Sequence, residues 1–230
     1  MNVVSTYLSY SGDQHRVQPK VISISQATEY GTVYSPTEVR GLAEFAHKHK
    51  MYLHMDGARL CNAAVASNLR LSDMTAGLLV DVLSFGLTKN GAMDAEAVVF
   101  FNPHLAKEAK YIRKRAGQLS SKMRYTAAQF TAMLEDDLWH ENASHANNMA
   151  QLLFSELQGT SNISFPIPVQ ANEVFAKINP SAVDELQKQY LFYEWDEPGL
   201  VRWVTSFATT KIDVLNFAKF IKDTLSRFPL

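Results

Sequence analysis

The sequence predicts an α/β protein: a large unit built on a mostly parallel sheet, followed by a smaller α+β unit. Three observations carry this. Short runs rich in Val and Ile alternate with helical patterns as far as Phe101, two of those runs end abruptly in polar residues and a glycine, and a long helical stretch then gives way to short strands and two more helices.

The first strand is expected over Lys20 to Gln26. Ser35-Pro36-Thr37-Glu38 then opens a helix by capping-box spacing with Pro at its first position, and Val39, Leu42, Ala43 and Ala46 follow on one stripe. Strands are expected from Met51 to Met55, Val80 to Phe85 and Glu96 to Phe101, with a helical or irregular segment near Ala63 to Gly77 between the first two. The nearly continuous apolar run of the last suits a strand covered on both faces. From Asn102-Pro103 to about Leu157 the pattern is mainly helical, with Ala146, Met149, Ala150, Leu153 and Leu157 on one face, and Gly159-Thr160-Ser161-Asn162 breaks it. Beyond the break come strands near Ile163 to Phe165 and Glu173 to Ile178, a helix after Asn179-Pro180, strands near Leu191 to Trp195 and Leu200 to Phe207, and a last helix from Thr210 to Arg227. The division is expected in the helical region, giving a large domain over residues 1–140 and a small one over 141–230.

Of the 230 residues 47% are hydrophobic and 20% charged, and the formal net charge is −1, so nothing points to nucleic acid or an anionic membrane surface. No apolar stretch approaches the ~18 residues of a membrane span, and no signal-peptide pattern opens the chain. The single cysteine, Cys61, excludes an internal disulfide and fits a reducing compartment, so the expected location is cytoplasmic.

The chemistry concentrates at two strand ends. His54-Met55-Asp56-Gly57-Ala58-Arg59 closes one strand with an acid, a turn glycine and an arginine, and Ser84-Phe85-Gly86-Leu87-Thr88-Lys89-Asn90-Gly91 closes the next with an amine. Ligands of open α/β sheets bind in the crevice at the carboxyl ends of strands. A carboxylate for a pyridine nitrogen and a lysine for an aldehyde are what a protein contributes to pyridoxal phosphate chemistry, and Asp56 and Lys89 supply both residue types. The spacing alone is equally compatible with an Asp-Gly turn and a solvated loop lysine.

Four ordered motifs narrow the choice: Gln18-Pro19-Lys20-Val21-Ile22-Ser23-Ile24-Ser25-Gln26 with Tyr30-Gly31-Thr32-Val33-Tyr34; His54-Met55-Asp56-Gly57-Ala58-Arg59-Leu60; Ser84 to Gly91; and Val201-Arg202-Trp203-Val204-Thr205-Ser206-Phe207. With them the chain closely resembles the low-specificity L-threonine aldolase and β-eliminating lyase group of fold-type I pyridoxal-phosphate enzymes, over nearly its whole length. The resemblance implies a pyridoxal 5'-phosphate cofactor bound covalently by Lys89, with Asp56 on the pyridine nitrogen. It implies that Arg59 and Arg202 grip the α-carboxylate of an amino-acid substrate, a task suited to a planar guanidinium; on its own Arg202 also reads as a strand arginine paired with Glu194 or Glu197. It places Arg115 and Arg124 against the cofactor phosphate of a partner subunit, and hence implies a homodimer or homotetramer, although Gln118-Leu119-Ser120-Ser121-Lys122 stands where many relatives have consecutive glycines. A solvated basic helix face is the plainer reading of that segment.

The remaining motif residues carry smaller expectations. His54 lies on the same strand face as Asp56 and is expected to orient the site or to pack at its rim. Gln26 and Thr28 match the strand end beside the cofactor, where they would touch its ring oxygen or the substrate, and Thr88 receives no firm role. Members of the group carry a long amino-terminal portion ahead of the equivalent of Met1, with a phosphate-binding helix N-terminus and a histidine stacked on the cofactor ring. The chain is therefore expected to be shortened, with Met1 to Arg16 as a loop, exposed sheet surface and weak cofactor retention. The implied activity is cleavage of threonine-like β-hydroxy-α-amino acids to glycine and an aldehyde, with no general base assigned and no metal. The alternatives are a β-eliminating amino-acid lyase on the same scaffold and a non-catalytic fragment or subunit.

Overall fold

A computed structural model describes residues 2–9 and 11–228. In chain order it contains α1 (Asn2–Leu8), β1 (Val21–Ser25), α2 (Pro36–Lys48), β2 (Tyr52–Gly57), α3 (Leu60–Ser67), β3 (Val82–Gly86), β4 (Glu96–Phe100), α4 (Ala109–Arg115), α5 (Arg124–Leu134) and α6 (Leu138–Leu157). There follow β5 (Glu173–Lys177), α7 (Pro180–Gln187), β6 (Tyr193–Trp195), β7 (Glu197–Val204) and α8 (Lys211–Leu225). The first four strands form one sheet in the order β1-β2-β3-β4, with β1, β2 and β3 parallel and β4 antiparallel to β3. A second, antiparallel sheet has the order β5-β7-β6. The expected α/β class with a mostly parallel sheet is the architecture found.

Local chemistry sets the element ends. Ser35 accepts from the Glu38 backbone N–H while Glu38 Oε2 accepts from Ser35 N at 2.8 Å, so the capping box that opens α2 is complete, and Val39, Ala43 and Ala46 are buried beneath it. The capping box at Thr210 and Asp213 opens α8 in the same way. Parallel register puts Ser25, Asp56 and Ser84 side by side across three strands, so the carboxyl ends of β1, β2 and β3 share one edge. Helices α2 and α3 cover this sheet with Val39, Ala43, Ala63 and Ala64, and Leu53 and Met55 are wholly buried beneath them. Complete burial of a leucine is worth ~1.5–3 kcal/mol.

Two apolar clusters divide the chain, and α6 serves both. Its Trp139 and Ala143 belong to the cluster around the parallel sheet, while Ala150, Leu153 and Leu157 belong to the cluster under the second sheet and α8. Polar bonds fix the helix to its neighbours. Asn62 Nδ2 donates to Asn147 Oδ1 and Asn147 Nδ2 to the Asn62 carbonyl, each at 3.0 Å, and Thr205 Oγ1 donates to the Ala146 carbonyl at 2.7 Å.

Three sequence expectations are corrected. The stretch from Met1 to Arg16 is not all loop: it holds α1, a seven-residue helix too short for periodicity to reveal, while Met1 and Tyr10 lie outside the described residues. β4 is not covered on both faces but is an antiparallel edge strand, with Val99 against the core and Val98 58% exposed. Apolar continuity reports side-chain chemistry and says nothing about what stands opposite. Ile163 to Phe165 makes no strand; Ser164 forms a single bridge to Lys177, and Ile163 and Phe165 pack on the second cluster from a loop.

Four outcomes follow, three for stability and one for thiol reactivity. Ser35→Ala should cost about 1 kcal/mol in urea unfolding at neutral pH. Its hydrogen bonds hold the Glu38 carboxyl below the usual carboxylate range, so their contribution is present at neutral pH and lost as pH falls through that range; Glu38→Gln should remove this pH dependence. Asn147→Ala strands the buried side-chain amide of Asn62 and removes a second bond to its carbonyl, and should cost about 1–3 kcal/mol, read from the same urea midpoint. Burial pushes the Cys61 thiol up to about 11, so a disulfide reagent at mildly alkaline pH should titrate it only after denaturant is added.

Candidate active site

Asp56 is the penultimate residue of β2 and is half-buried. Its Oδ1 accepts from Ala58 N at 2.9 Å, the Asx turn by which an aspartate closes a strand end, and its Oδ2 has no hydrogen-bond partner among the described residues. Gly57 is required here because a Cβ would lie 2.7 Å from Leu83 Cδ1 and 3.0 Å from the Ser84 carbonyl of the adjoining strand. On the face of β2 that carries Asp56, the His54 ring bridges three strands, with Nδ1 2.8 Å from Ser23 Oγ and Nε2 2.9 Å from Ser84 Oγ. His54 thus braces the sheet beneath the acid.

Lys89 lies just beyond β3, in a single 3₁₀ turn of Thr88–Asn90. The turn hangs between two buried neighbours of the lysine. Leu87 is fully buried, and Asn90 donates from Nδ2 to the Trp139 carbonyl at 3.0 Å while its own carbonyl accepts from Asn142 Nδ2 at 2.8 Å. Gly91 has φ +120°, and a Cβ there would approach Asn142 Nδ2 to 2.8 Å, so only glycine lets the chain turn under the helix. Lys89 and Thr88 are exposed, and the Lys89 amine has no hydrogen-bond or ion-pair partner among the described residues.

Arg59, at the head of the helix that follows β2, and Arg202, on the second sheet, meet on one acid. Arg59, at the start of α3, places Nη2 3.2 Å from Glu173 Oε1. Arg202, on β7, donates to the same oxygen from Nε at 2.9 Å and also from Nη2. Glu173 and Arg202 lie diagonally on one face of the β5–β7 pair, and Arg202 stacks over the Trp195 ring at 4.6 Å from its centroid. Arg202 therefore pairs with neither Glu194 nor Glu197; those carboxylates take Gly199 N and Lys177. Burial pushes the Arg59 guanidinium below the usual arginine range, with Arg202 adding to the effect and Glu173, Glu29 and Asp56 opposing it.

Sequence reasoning missed Glu173. Its only signal was an acid opening the otherwise apolar run Val174-Phe175-Ala176, and pairing across the sheet is what explains it. Behind it stands the loop Tyr30-Gly31-Thr32: Gly31 has φ +68°, and a Cβ there would lie 2.8 Å from Glu173 Cβ and 3.0 Å from Oε2. Gln26 and Thr28, expected beside the ligand, are both engaged by the loop that follows β1. Gln26 is wholly buried, its amide spent on both backbone groups of Tyr34, and Thr28 Oγ1 bonds Thr32 Oγ1 at 2.7 Å.

Arg115 ends α4 and Arg124 begins α5, in a segment where both are exposed and neither has an ion-pair partner among the described residues. Arg124 lies over the ring of its neighbour Tyr125, at 5.0 Å from the centroid. The fold does not bond either arginine to Asp56, Lys89 or the Glu173 cluster. Among the described residues there is also no group of three or more side chains suited to a metal ion, and no helix long and apolar enough to cross a membrane.

Known proteins resemble the chain over most of its length. The chain is 39% identical over 215 residues to a low specificity L-threonine aldolase of a Pseudomonas species, covering 93% of this chain and 62% of that protein. It superposes on the threonine aldolase of Leishmania major with a TM-score of 0.87 at 30% identity, covering 96% of this chain and 65% of that one. A PLP-dependent aminotransferase of Streptococcus suis, at 16% identity and a TM-score of 0.70, shares the fold. The chain thus spans less than two thirds of the length of these relatives. Residues 1–180 match the beta-eliminating lyase family, and the chain belongs to it.

Proposed function

We propose that this chain is the core of a pyridoxal-phosphate-dependent aldolase that cleaves a threonine-like β-hydroxy-α-amino acid to glycine and an aldehyde. The observation that carries the proposal is the placement of a carboxylate with a free oxygen, Asp56, at the carboxyl end of β2 and of an unpartnered amine, Lys89, just past the end of the adjoining parallel β3, with Arg59 three residues beyond the acid. These residues fit the cofactor. Asp56 would hold the protonated pyridine nitrogen, Lys89 the aldehyde carbon, and Arg115 and Arg124 of a second copy the phosphate. When bound, the cofactor supplies an acceptor for the electrons released at the substrate Cα.

The chain's own residues do the rest by position. Arg59 and Arg202 bind the substrate carboxylate through charge-assisted bonds and so fix which bond at Cα stands perpendicular to the cofactor plane. Asp56, on the strand face that His54 braces, would present its open oxygen to a cationic ring nitrogen. The division into residues 1–140 and 141–230 places Lys89, Asp56 and Arg59 on the large domain and Arg202 on the small one, so the carboxylate site joins the two. A homo-oligomer with Arg115 and Arg124 reaching across to the partner, and a cytoplasmic location, complete the proposal.

The family also favours a second reaction, elimination of the β-substituent of an amino acid followed by hydrolysis that releases its α-amino group as ammonia and leaves a keto acid, which the same four residues would support. Product analysis separates them: glycine and aldehyde from threonine, or ammonia and a keto acid from serine. Protein incubated with pyridoxal phosphate and reduced with borohydride should carry the adduct on Lys89 by peptide mass spectrometry, and Lys89→Ala should carry none and show only background turnover. Asp56→Asn should keep the adduct but lose kcat on the order of 10²-fold or more, the scale of an electrostatic partner lost from an enclosed site. A folded chain without the Lys89 adduct would be a non-catalytic member of the family.

A further inference from the structure

We infer that Glu173 is a positioning residue of the carboxylate site, one that holds Arg59 and Arg202 together and sets their joint charge to accept a single carboxylate. The inference rests on the aldolase proposal above and adds a residue to it. Glu173 is wholly buried, and Arg59 and Arg202 retain 12% and 11% of their side-chain exposure. An unpaired guanidinium pair at that burial would repel, and each would orient independently from its own element. With both bonded to Oε1 of one carboxylate, the two are drawn to a common point, and the trio is left with one positive charge.

The geometry is asymmetric in a way that suits a further ligand. Only Oε1 is used by the arginines; Oε2 is buried without a partner against the Gly31 backbone, on the side where a Cβ would come to 3.0 Å. Arg59 Nε is also buried without an acceptor. Glu29 and Asp56 act on Arg59 electrostatically, yet neither is hydrogen-bonded to it. The cluster thus has donor capacity left over beside its bridging acid, which a monoanionic ligand would use. A carboxylate of a small amino acid fits this charge.

Phenylglyoxal modification of Arg59 and Arg202, located by mass spectrometry in the full chain without cofactor, tests the inference directly. Glycine should slow modification of both arginines, and glycinamide, which lacks the carboxylate, should not. In Glu173→Gln the glycine concentration giving half protection should rise about tenfold or more, the scale of a lost charge-assisted bond. In the pyridoxal-phosphate-loaded protein the same substitution should raise KM for threonine by a similar factor while kcat changes less than about threefold and the borohydride adduct on Lys89 is undiminished. Equal protection in Glu173→Gln, or failure of glycine to protect the wild-type arginines, would overturn it. So would a parallel loss of Lys89 adduct and carboxylate affinity in both Glu173→Gln and the charge-preserving Glu173→Asp, which marks a general packing role. Absence of the Lys89 adduct in wild-type protein defeats the aldolase proposal alone, because arginine protection is read without cofactor.

Discussion

The twenty-residue helix α6 is the constraint from which the rest of the arrangement follows. Its first half closes the apolar cluster of the parallel sheet and its second half closes the cluster of the antiparallel sheet, so two layers that share no strand share a wall. Helices that join two cores usually present one apolar stripe to each. This one also spends buried amides: Asn142 and the Trp139 carbonyl hold Asn90, and Asn147 holds Asn62. Each of those partners lies close in sequence to a residue of the site, Lys89 in one case and Arg59 in the other. Rigidity of the site is therefore borrowed from a helix that contributes no group to it.

Charge is arranged with the same economy. The chain is almost neutral, and the two arginines best protected from water sit on the one acid that is wholly buried between them. Arginine suits this position better than lysine because its planar fork makes two bonds in one plane and stacks on an aromatic ring, as Arg202 does on Trp195. Exposed basic residues such as Arg115 and Arg124, by contrast, have no ion-pair partner among the described residues.

Most of the strands, the capping box of α2 and the alternation that fixes the α/β class were legible in the sequence because each is written in neighbouring residues. Ser35 and Glu38 announce the start of α2, and the Asp56-Gly57 and Asn90-Gly91 pairs announce turns, since short-range chemistry decides them. What was not legible depends on residues far apart in sequence. Nothing near Glu173 says that Arg59 will reach it, nothing near Val98 says that β4 stands at an edge, and nothing near Gln26 says that Tyr34 will take up its amide. The motif that located Arg59 and Arg202 named the residues without the acid that unites them, because the motif is local and the pairing is not.

The close approach of Gly31 to Glu173 ties the heredity of two distant codons together. A methyl group on the first would press into the β-carbon of the second, which every residue but glycine retains, and a φ of +68° disfavours a side chain there whatever the space. Any side chain at the loop position would therefore push on the strand that aims the acid at both guanidiniums, so that codon answers to the carboxylate site as well as to its own backbone.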